Sequence, residues 1–375
     1  MSNAKDDLKV LYIIQKIYPE KAGAGINLHN FLPYCANKFS HRVLALESSI
    51  DRTGIDEGLR YYRYKTKLRN RQLLTITQVL NVFSFINHLR WCDIVHFKST
   101  PKGIFLITAI ARLLGKKIVQ EPTLVGHDDP NSFSNYKMGF LLNLSWKLSD
   151  AAVFISSDIR NHSREFAGFP INRGVNLDKF SHEKRNEPRE KMHIGKDKIV
   201  ISQIGKISDR KNQLSTIRIA KLLEEKLNTK MAVILIGPYL NDDYYQEICD
   251  TAKKLDLDIK FTGHVDNVES YLSTSDLYIF PSKDEGFGVS VIQALASGNH
   301  TFMSPVGCFN ELRDLGFEGV IEGDDENWAD KIFEYISGRD ITYRLGNREM
   351  VESFDEEVIS ELTLKLYKNL QSNVK

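Results

Sequence analysis

The strongest constraint on this chain is a pattern that runs twice along it: short β-branched or apolar runs separated by longer amphipathic stretches. In the first half the short runs are LKVLYII (8–14), HRVLAL (41–46), DIVHF (93–97), KIVQE (117–121) and AAVFIS (151–156). Between most of them lie helical patterns, GINLHNFLPYCAN, LLTITQVLNVFSFINHL and GIFLITAIARLLG. The alternation restarts with IVISQIG (199–205), MAVILIG (231–237), DIKFTG (258–263), DLYIFPS (276–282) and HTFMS (300–304). Strands that read as continuous apolar runs and alternate with helices belong to parallel sheets covered on both faces. The fold class is therefore α/β, two doubly wound domains.

Between the two runs of strands, the segment after GVNLDKF (174–180) is almost purely polar and contains Pro188, which reads as an exposed linker. A final amphipathic helix is expected over 356–370. In open α/β sheets ligands sit beyond the carboxyl ends of the strands, so the residues just after each strand carry the functional expectation.

Composition narrows the class. With 375 residues, 42% hydrophobic and 26% charged, the chain is long enough for two domains with proper cores. Lys plus Arg (50) nearly cancels Asp plus Glu (49), so no global basic field points to nucleic acid. Cys35, Cys92, Cys249 and Cys308 lack CxxC spacing and nearby histidines, which argues against a zinc site or a disulfide framework. No apolar run is long enough to span a bilayer, and MSNAKDD is polar where a signal peptide would be apolar. The expected compartment is the cytoplasm.

One stretch, DEGFGVSVIQALASG (284–298), concentrates candidate chemistry. A strand ends, Gly286, Phe287 and Gly288 turn, and a helix with Gly298 at its C′ position begins at Val289 and Ser290. The glycines allow close backbone approach and the helix start offers a seat for a diphosphate, with Glu285 beside it. Gln293 lies one turn beyond Val289 and Ser290 on the same face, leaning back toward the start. The alternative is a plain tight turn with a solvated glutamine. A second segment, GKISDRKNQ, places Gly205 and Lys206 directly after a strand and Lys211 before Asn212, a suitable N-cap. Two ammonium groups there can neutralise a departing diphosphate; the alternative is a solvated loop with ordinary surface lysines.

These segments, with the block from LIGPYLNDDYYQEICDTAKKLDLDIKFTGHVDNVESYLS through the EGFG turn and with INRGVNLDKF, resemble in sequence and order the blocks of GT-B glycosyltransferases of family four. LYIIQKIYPEKAGAGINLHNFLPYCANKFSHRVLAL resembles that family's opening strand, Gly-rich loop and helix. The resemblance implies a GT-B architecture of two Rossmann-like domains facing across a cleft: residues 1–185 plus 355–375 for the acceptor, 190–354 for the donor. It implies a retaining, metal-independent transfer from a nucleotide-diphosphate sugar, UDP- or GDP-linked, with no cofactor. Glu285 would contact the donor sugar; the backbone around Phe287, Gly288 and Val289 would hold sugar or phosphates, and Val265 would face the base. Lys206, where the family has Arg, and Lys211 would bind the diphosphate, while Gly25 would close over the donor from the other domain.

Three residues depart from the family pattern. Gln293 replaces the second Glu, whose role is to accept from the ribose; a neutral amide accepts a weaker bond. Lys206 keeps the charge of Arg without its planar fork. Arg173 replaces the asparagine of the family's NG pair. In VQEPTLVGHDDP (119–130), His127 is a candidate for a sugar contact, whereas Asp128 and Asp129 before Pro130 also read as an Asx turn.

RYYRYKTKLRNR (60–71) carries six basic residues and three tyrosines. It suits either a solvated connector or a peripheral contact with the inner face of a membrane. The expected partners are a nucleotide sugar and a glycan or lipid-linked saccharide acceptor, with no nucleic acid, in surface polysaccharide biosynthesis. Two other readings remain: a non-catalytic sugar-nucleotide-binding partner subunit, favoured by Gln293, and a sugar-nucleotide epimerase, which needs a water-activating group in the cleft.

Overall fold

The computed structural model describes residues 8–18, 20, 23–48, 54–56, 59–65, 82–99, 104–136, 138–163, 165–180, 187–339 and 348–372. The chain divides into two compact units, Met1–Gly174 with Glu356–Lys375, and Val175–Asp355.

The first unit is built on an eight-stranded sheet ordered β3-β4-β2-β1-β5-β6-β7-β8. Its strands are β1 (Lys9–Ile14), β2 (Ser40–Ser48), β3 (Gly54–Asp56), β4 (Leu59–Lys65), β5 (Ile94–Phe97), β6 (Lys117–Gln120), β7 (Ala151–Phe154) and β8 (Gly168–Pro170). All neighbours are parallel except β3 and β4, which pair antiparallel. The central β1 is buried along nearly its whole length because helices cover both faces, which is why it reads as one apolar run.

Residues 60–65 are not a connector: they form most of β4, in register with β2 from Val43↔Tyr61 onward. From Tyr62 to Lys65, Tyr alternates with Arg or Lys, a strand pattern that the density of positive charge masks. Residues 66–71 lie outside the described residues.

The Glu356–Ser372 helix returns to this first unit, as the family resemblance implies. Lys38 Nζ reaches Glu361 at 3.0 Å and the Ser360 hydroxyl at 2.6 Å, and Tyr367 is fully buried beside Tyr12.

The second unit holds a five-stranded parallel sheet, ordered β11-β10-β9-β12-β13. The strands are β9 (Ile199–Ile204), β10 (Met231–Ile236), β11 (Asp258–Gly263), β12 (Leu277–Phe280) and β13 (His300–Met303). The chain builds outward from β9 through β10 to β11, then returns to place β12 on the other side of β9. That reversal is the switch point of a doubly wound sheet. The larger core lies on one face: Val233 and Leu235 of β10 pack with Ile217, Leu223, Trp328 and Ile332 of the covering helices.

The unit boundary falls at Gly174/Val175, earlier than the expected 185. The Val175 N–H donates to the Phe354 carbonyl at 2.8 Å and Val175 bridges Asp355, which ties 175–180 to the second unit. The expected linker is also partly structured. Glu187–Lys191 is helical, and Arg189 Nη2 pairs with Asp276 Oδ2 at 2.7 Å. Asp276 in turn accepts from the Val200 N–H at 2.8 Å, so a polar-looking segment is anchored to a buried carboxylate 87 positions away.

Candidate donor site at the switch point

At the carboxyl ends of β9 and β12 two loops are stitched together. The Lys283 N–H donates to the Arg210 carbonyl at 2.9 Å, and Asn212 Nδ2 donates to the Pro281 carbonyl at 3.2 Å. Lys283 Nζ closes the outside on Asp209 at 2.6 Å. Asn212 thus spends its side chain between the loops. It stands at the N-cap position of the Gln213–Leu227 helix, but in the left-handed conformation and with no side-chain capping bond, which corrects the capping role expected from sequence.

Glu285 is 8% exposed, and its Oε1 receives two cations: Lys211 Nζ in direct contact and Arg210 Nη1 at 3.2 Å. Oε2 has no partner among the described residues. Burial pushes the Lys211 ammonium below its ordinary pKa, and the Glu285 carboxylate opposes that shift. The Lys211 stem runs under Gly205, where a Cβ would lie 3.0 Å from Lys211 Cε, and its ammonium sits 4.9 Å over the Phe280 ring. Gln203 holds the backbone here by donating to the Lys211 carbonyl at 2.6 Å.

The turn itself follows its glycines. Gly288 has φ +88° and starts the Val289–Ala296 helix, which closes in a Schellman motif: Asn299 N–H to the Ala294 carbonyl, Gly298 N–H to that of Leu295. Gly286 and Phe287 are buried, and Phe287 packs on Phe354 with ring centres 5.7 Å apart. Ser290 accepts from the Tyr278 hydroxyl at 2.8 Å. Gln293 is half-buried one turn in; its carbonyl accepts from the Ser297 N–H at 3.0 Å, and its side chain makes no hydrogen bond among the described residues.

Two residues that the sequence did not single out belong to this site. Gly307, at φ +68°, lies against the turn: a Cβ there would strike the Phe287 carbonyl and come within 3.1 Å of Glu285 Cβ, and the next N–H, of Cys308, donates to Phe287 at 2.7 Å. Its signal was only a Gly in SPVGC after a strand. Arg210 is the other: its Nη1 also donates to the Asp284 carbonyl at 2.5 Å. Lys206, by contrast, is exposed and makes no ion pair among the described residues. Val265 stands just after β11, half-buried against Ile234 and Ile236, where the Gly237 N–H donates to Gly263 at 3.0 Å.

Gly25 and His127 are in the first unit. Gly25 lies inside the first turn of the Gly23–Cys35 helix rather than in a loop, packed on the Lys16 carbonyl with no room for a Cβ. His127 is exposed, its carbonyl accepting from Tyr136 at 2.7 Å. Asp128 accepts from the Thr123 and Leu124 N–H groups, each at 2.8 Å, and Asp129 caps the next turn through Asn131 and Ser132. Both aspartates are turn-makers.

Arg173 is buried and pairs with Glu121 at 2.6 Å. Glu121 also takes Lys98 at 2.7 Å and His96 Nε2 at 3.2 Å. These residues line a pocket with Asn27, Asn172 and Glu356. Among the described residues no cluster of His, Cys, Asp or Glu has metal-binding geometry, and the four cysteines are unpaired.

A doubly wound sheet with a buried carboxylate and two cations at its switch point, ahead of a glycine-started helix, is the arrangement of a domain that holds a phosphorylated ligand. Comparison with known proteins makes this specific. Residues 184–350 match the model of the family described as glycosyl transferases group 1. The O-antigen biosynthesis glycosyltransferase WclY of Escherichia coli is 24% identical over 82% of this chain and 83% of its own. An E. coli UDP-Gal:alpha-D-GlcNAc-diphosphoundecaprenol alpha-1,3-galactosyltransferase is 23% identical over 86% and 85%. Among solved structures, Anabaena HepE in complex with UDP and glucose superposes with a TM-score of 0.76 at 16% identity, covering 96% of this chain and 100% of that one. The chain is a glycosyltransferase of the GT-B fold.

Proposed function

We propose that this protein is a retaining hexosyltransferase that moves a sugar from a UDP- or GDP-linked donor to a glycan or lipid-linked saccharide, in surface polysaccharide biosynthesis. The observation that carries the reading is the division of labour on Glu285: Oε1 is held by Lys211 and Arg210, and Oε2 is left for a ligand hydroxyl. Two relatives matched over most of this chain's length, named as an O-antigen biosynthesis glycosyltransferase and as a galactosyltransferase for a diphosphoundecaprenol-linked GlcNAc, support the acceptor class. The fold shared with a UDP- and glucose-bound enzyme supports the donor class.

In this reading Glu285 orients the sugar through its hydroxyls. The diphosphate rests on the N–H groups at Gly288, Val289 and Ser290, where the helix dipole favours negative charge. Lys211, Arg210 and Lys206 stabilise the charge that develops as the sugar–phosphate bond breaks, with the electron pair leaving on the diphosphate. A phosphate oxygen takes the acceptor's proton on the same face, so no side chain acts as nucleophile. Gln293 accepts from the ribose, Val265 borders the base, and Gly25 and His127 serve from the first unit. No metal or organic cofactor is needed. A lipid-linked acceptor would place the protein at the cytoplasmic face of a membrane; no described helix is long and apolar enough to cross one.

The test is thermal stabilisation against UDP-, GDP- and ADP-sugars, since a ligand selective for the folded state raises Tm by mass action, followed by product analysis with the donor that binds. A new glycosidic bond supports the proposal. An altered nucleotide sugar would indicate an epimerase, and binding without any product would indicate the partner-subunit role that Gln293 favours.

A further inference from the structure

Strands β9 and β12 diverge as they reach the candidate donor site. Their register covers Leu277↔Ile201 and Tyr278↔Ser202. Two residues further along β9, the Ile204 N–H donates to the Tyr278 hydroxyl at 3.4 Å. A backbone donor inside the protein needs a partner, and the fully buried Tyr278 supplies one from its side chain where the strands separate.

That bond sets the direction of the next. A phenol carries one proton, and an N–H can only donate. With its oxygen accepting from Ile204, Tyr278 gives its own proton to Ser290 Oγ, 2.8 Å away. Burial holds the phenol well above its ordinary pKa, so that proton stays in place. Ser290 therefore accepts, and its hydroxyl proton is left to point elsewhere; no described residue receives it. Ser290 is half-buried and second in the Val289–Ala296 helix. Because Cα–Cβ bonds tilt toward a helix's N-terminus, its hydroxyl stands beside the N–H groups that open the helix. A hydroxyl that already accepts one bond is the stronger donor for another.

Phe280 lies two residues beyond Tyr278, on the same face of β12, with ring centres 6.3 Å apart. Its ring carries the Lys211 ammonium at 4.9 Å and underlies Gly288, where a Cβ would meet it at 3.5 Å. One strand face thus supports the whole seat, Phe280 by shape and Tyr278 by a directed hydrogen bond.

We propose that Tyr278 is a positioning residue that aims the Ser290 hydroxyl proton at the diphosphate of the nucleotide sugar, so that Ser290 holds the diphosphate by its side chain as well as by its N–H. The proposal deepens the donor-site reading and rests on it.

The experiment is calorimetric titration of UDP and of GDP into the full chain and into Tyr278→Phe, Ser290→Ala, the double variant and Ser290→Thr, each shown by its thermal melt to be folded. Ser290→Ala is expected to weaken the nucleotide that binds the wild type roughly 10- to 100-fold, the scale of a hydrogen bond to a charged group. Tyr278→Phe leaves the serine hydroxyl in place but no longer aimed, and should cost roughly 3- to 10-fold. In the Ser290→Ala background it should cost nothing more, the non-additivity of a residue that acts through its neighbour. Ser290→Thr keeps a hydroxyl and should bind close to wild type. Tyr335→Phe, which removes a phenol facing His300 at 3.4 Å at the start of β13, is the control and should leave binding unchanged. Unchanged binding by Ser290→Ala, or a Tyr278→Phe loss that persists in full in the double variant, overturns the proposal while leaving the donor-site reading intact. A wild type that binds neither nucleotide overturns both, so the two failures are distinguishable.

Discussion

Arg210 Nη1 lies 3.2 Å from Glu285 Oε1, while Lys206, four residues earlier on the same loop, is exposed and unpaired among the described residues. The guanidinium that position 206 lacks is thus present in the site from position 210. Arg210→Ala is expected to lower kcat/KM for the donor roughly 10- to 100-fold, the scale of a lost charge-assisted contact, and Arg210→Lys to restore part of it. Lys206→Ala should cost less than Arg210→Ala. Steady-state kinetics on the three variants checks this, and a larger loss at Lys206 would return the main diphosphate contact to it.

Glu285 and Gln293 separate orientation of the sugar from grip on the ribose. Glu285→Ala should lose most activity, because it frees Lys211 and Arg210 and removes the sugar contact together. Gln293→Glu should retain activity and strengthen donor binding, since a carboxylate accepts a stronger bond than an amide. Donor titrations by calorimetry report the second effect directly; weaker binding by Gln293→Glu would count against the ribose assignment.

Gly307 supports the site from behind. Ala at φ +68° costs about 1–2 kcal/mol in backbone conformation alone, and its methyl would press on Phe287 and Glu285. Gly307→Ala is expected to lower Tm by several degrees and to weaken donor-induced stabilisation more than a conformational cost elsewhere would. Gly338→Ala, also at positive φ but with nothing within 4 Å of the added methyl, is the control.

Acid stability tests the buried network of the first unit. Burial, with Lys98 adding to it, pushes His96 down to about 4, against the carboxylate of Glu121, which pulls the other way. Glu121 is held well below the usual carboxylate range by Arg173 and Lys98, in spite of its burial, so it stays ionised as His96 titrates. His96 faces Glu121 with Nε2, 3.2 Å away, and the Tyr367 hydroxyl with Nδ1, 2.6 Å away. Because the folded value lies below the unfolded 6.5, the unfolded chain binds the extra proton between these pH values. Stability is therefore complete above 6.5 and is lost as pH falls toward 4, by about 3 kcal/mol in total. His96→Gln should flatten that acid limb in Tm-versus-pH curves, and an unchanged limb would place the titration elsewhere.

Much of this architecture was legible because strand and helix leave different periodicities. MAVILI and KVLYII read as buried parallel strands, and GFG before VSVIQALASG reads as a turn into a helix that Gly298 closes. β4 was hidden because its Tyr and basic residues read as surface charge, and β8 because a three-residue strand has no period. Glu285 and Lys211 were visible from their places after β12 and β9, since topology alone puts strand ends together.

Which cation meets that carboxylate was not visible. Lys206, Arg210 and Lys211 share one loop, and only the turn at Asp209–Lys211 decides which of them faces inward. Gly307, Arg189 and the Arg173–Glu121–Lys98 network likewise depend on contacts between residues far apart in sequence, for which one chain read alone carries no local signal. The sequence by itself determined the longer apolar strands and the helices between them, the two α/β domains and the position of the candidate site, because these follow from backbone preference and apolar period. Only the tertiary structure decided which charges pair, because pairing depends on the directions of side chains across loops that sequence spacing does not encode.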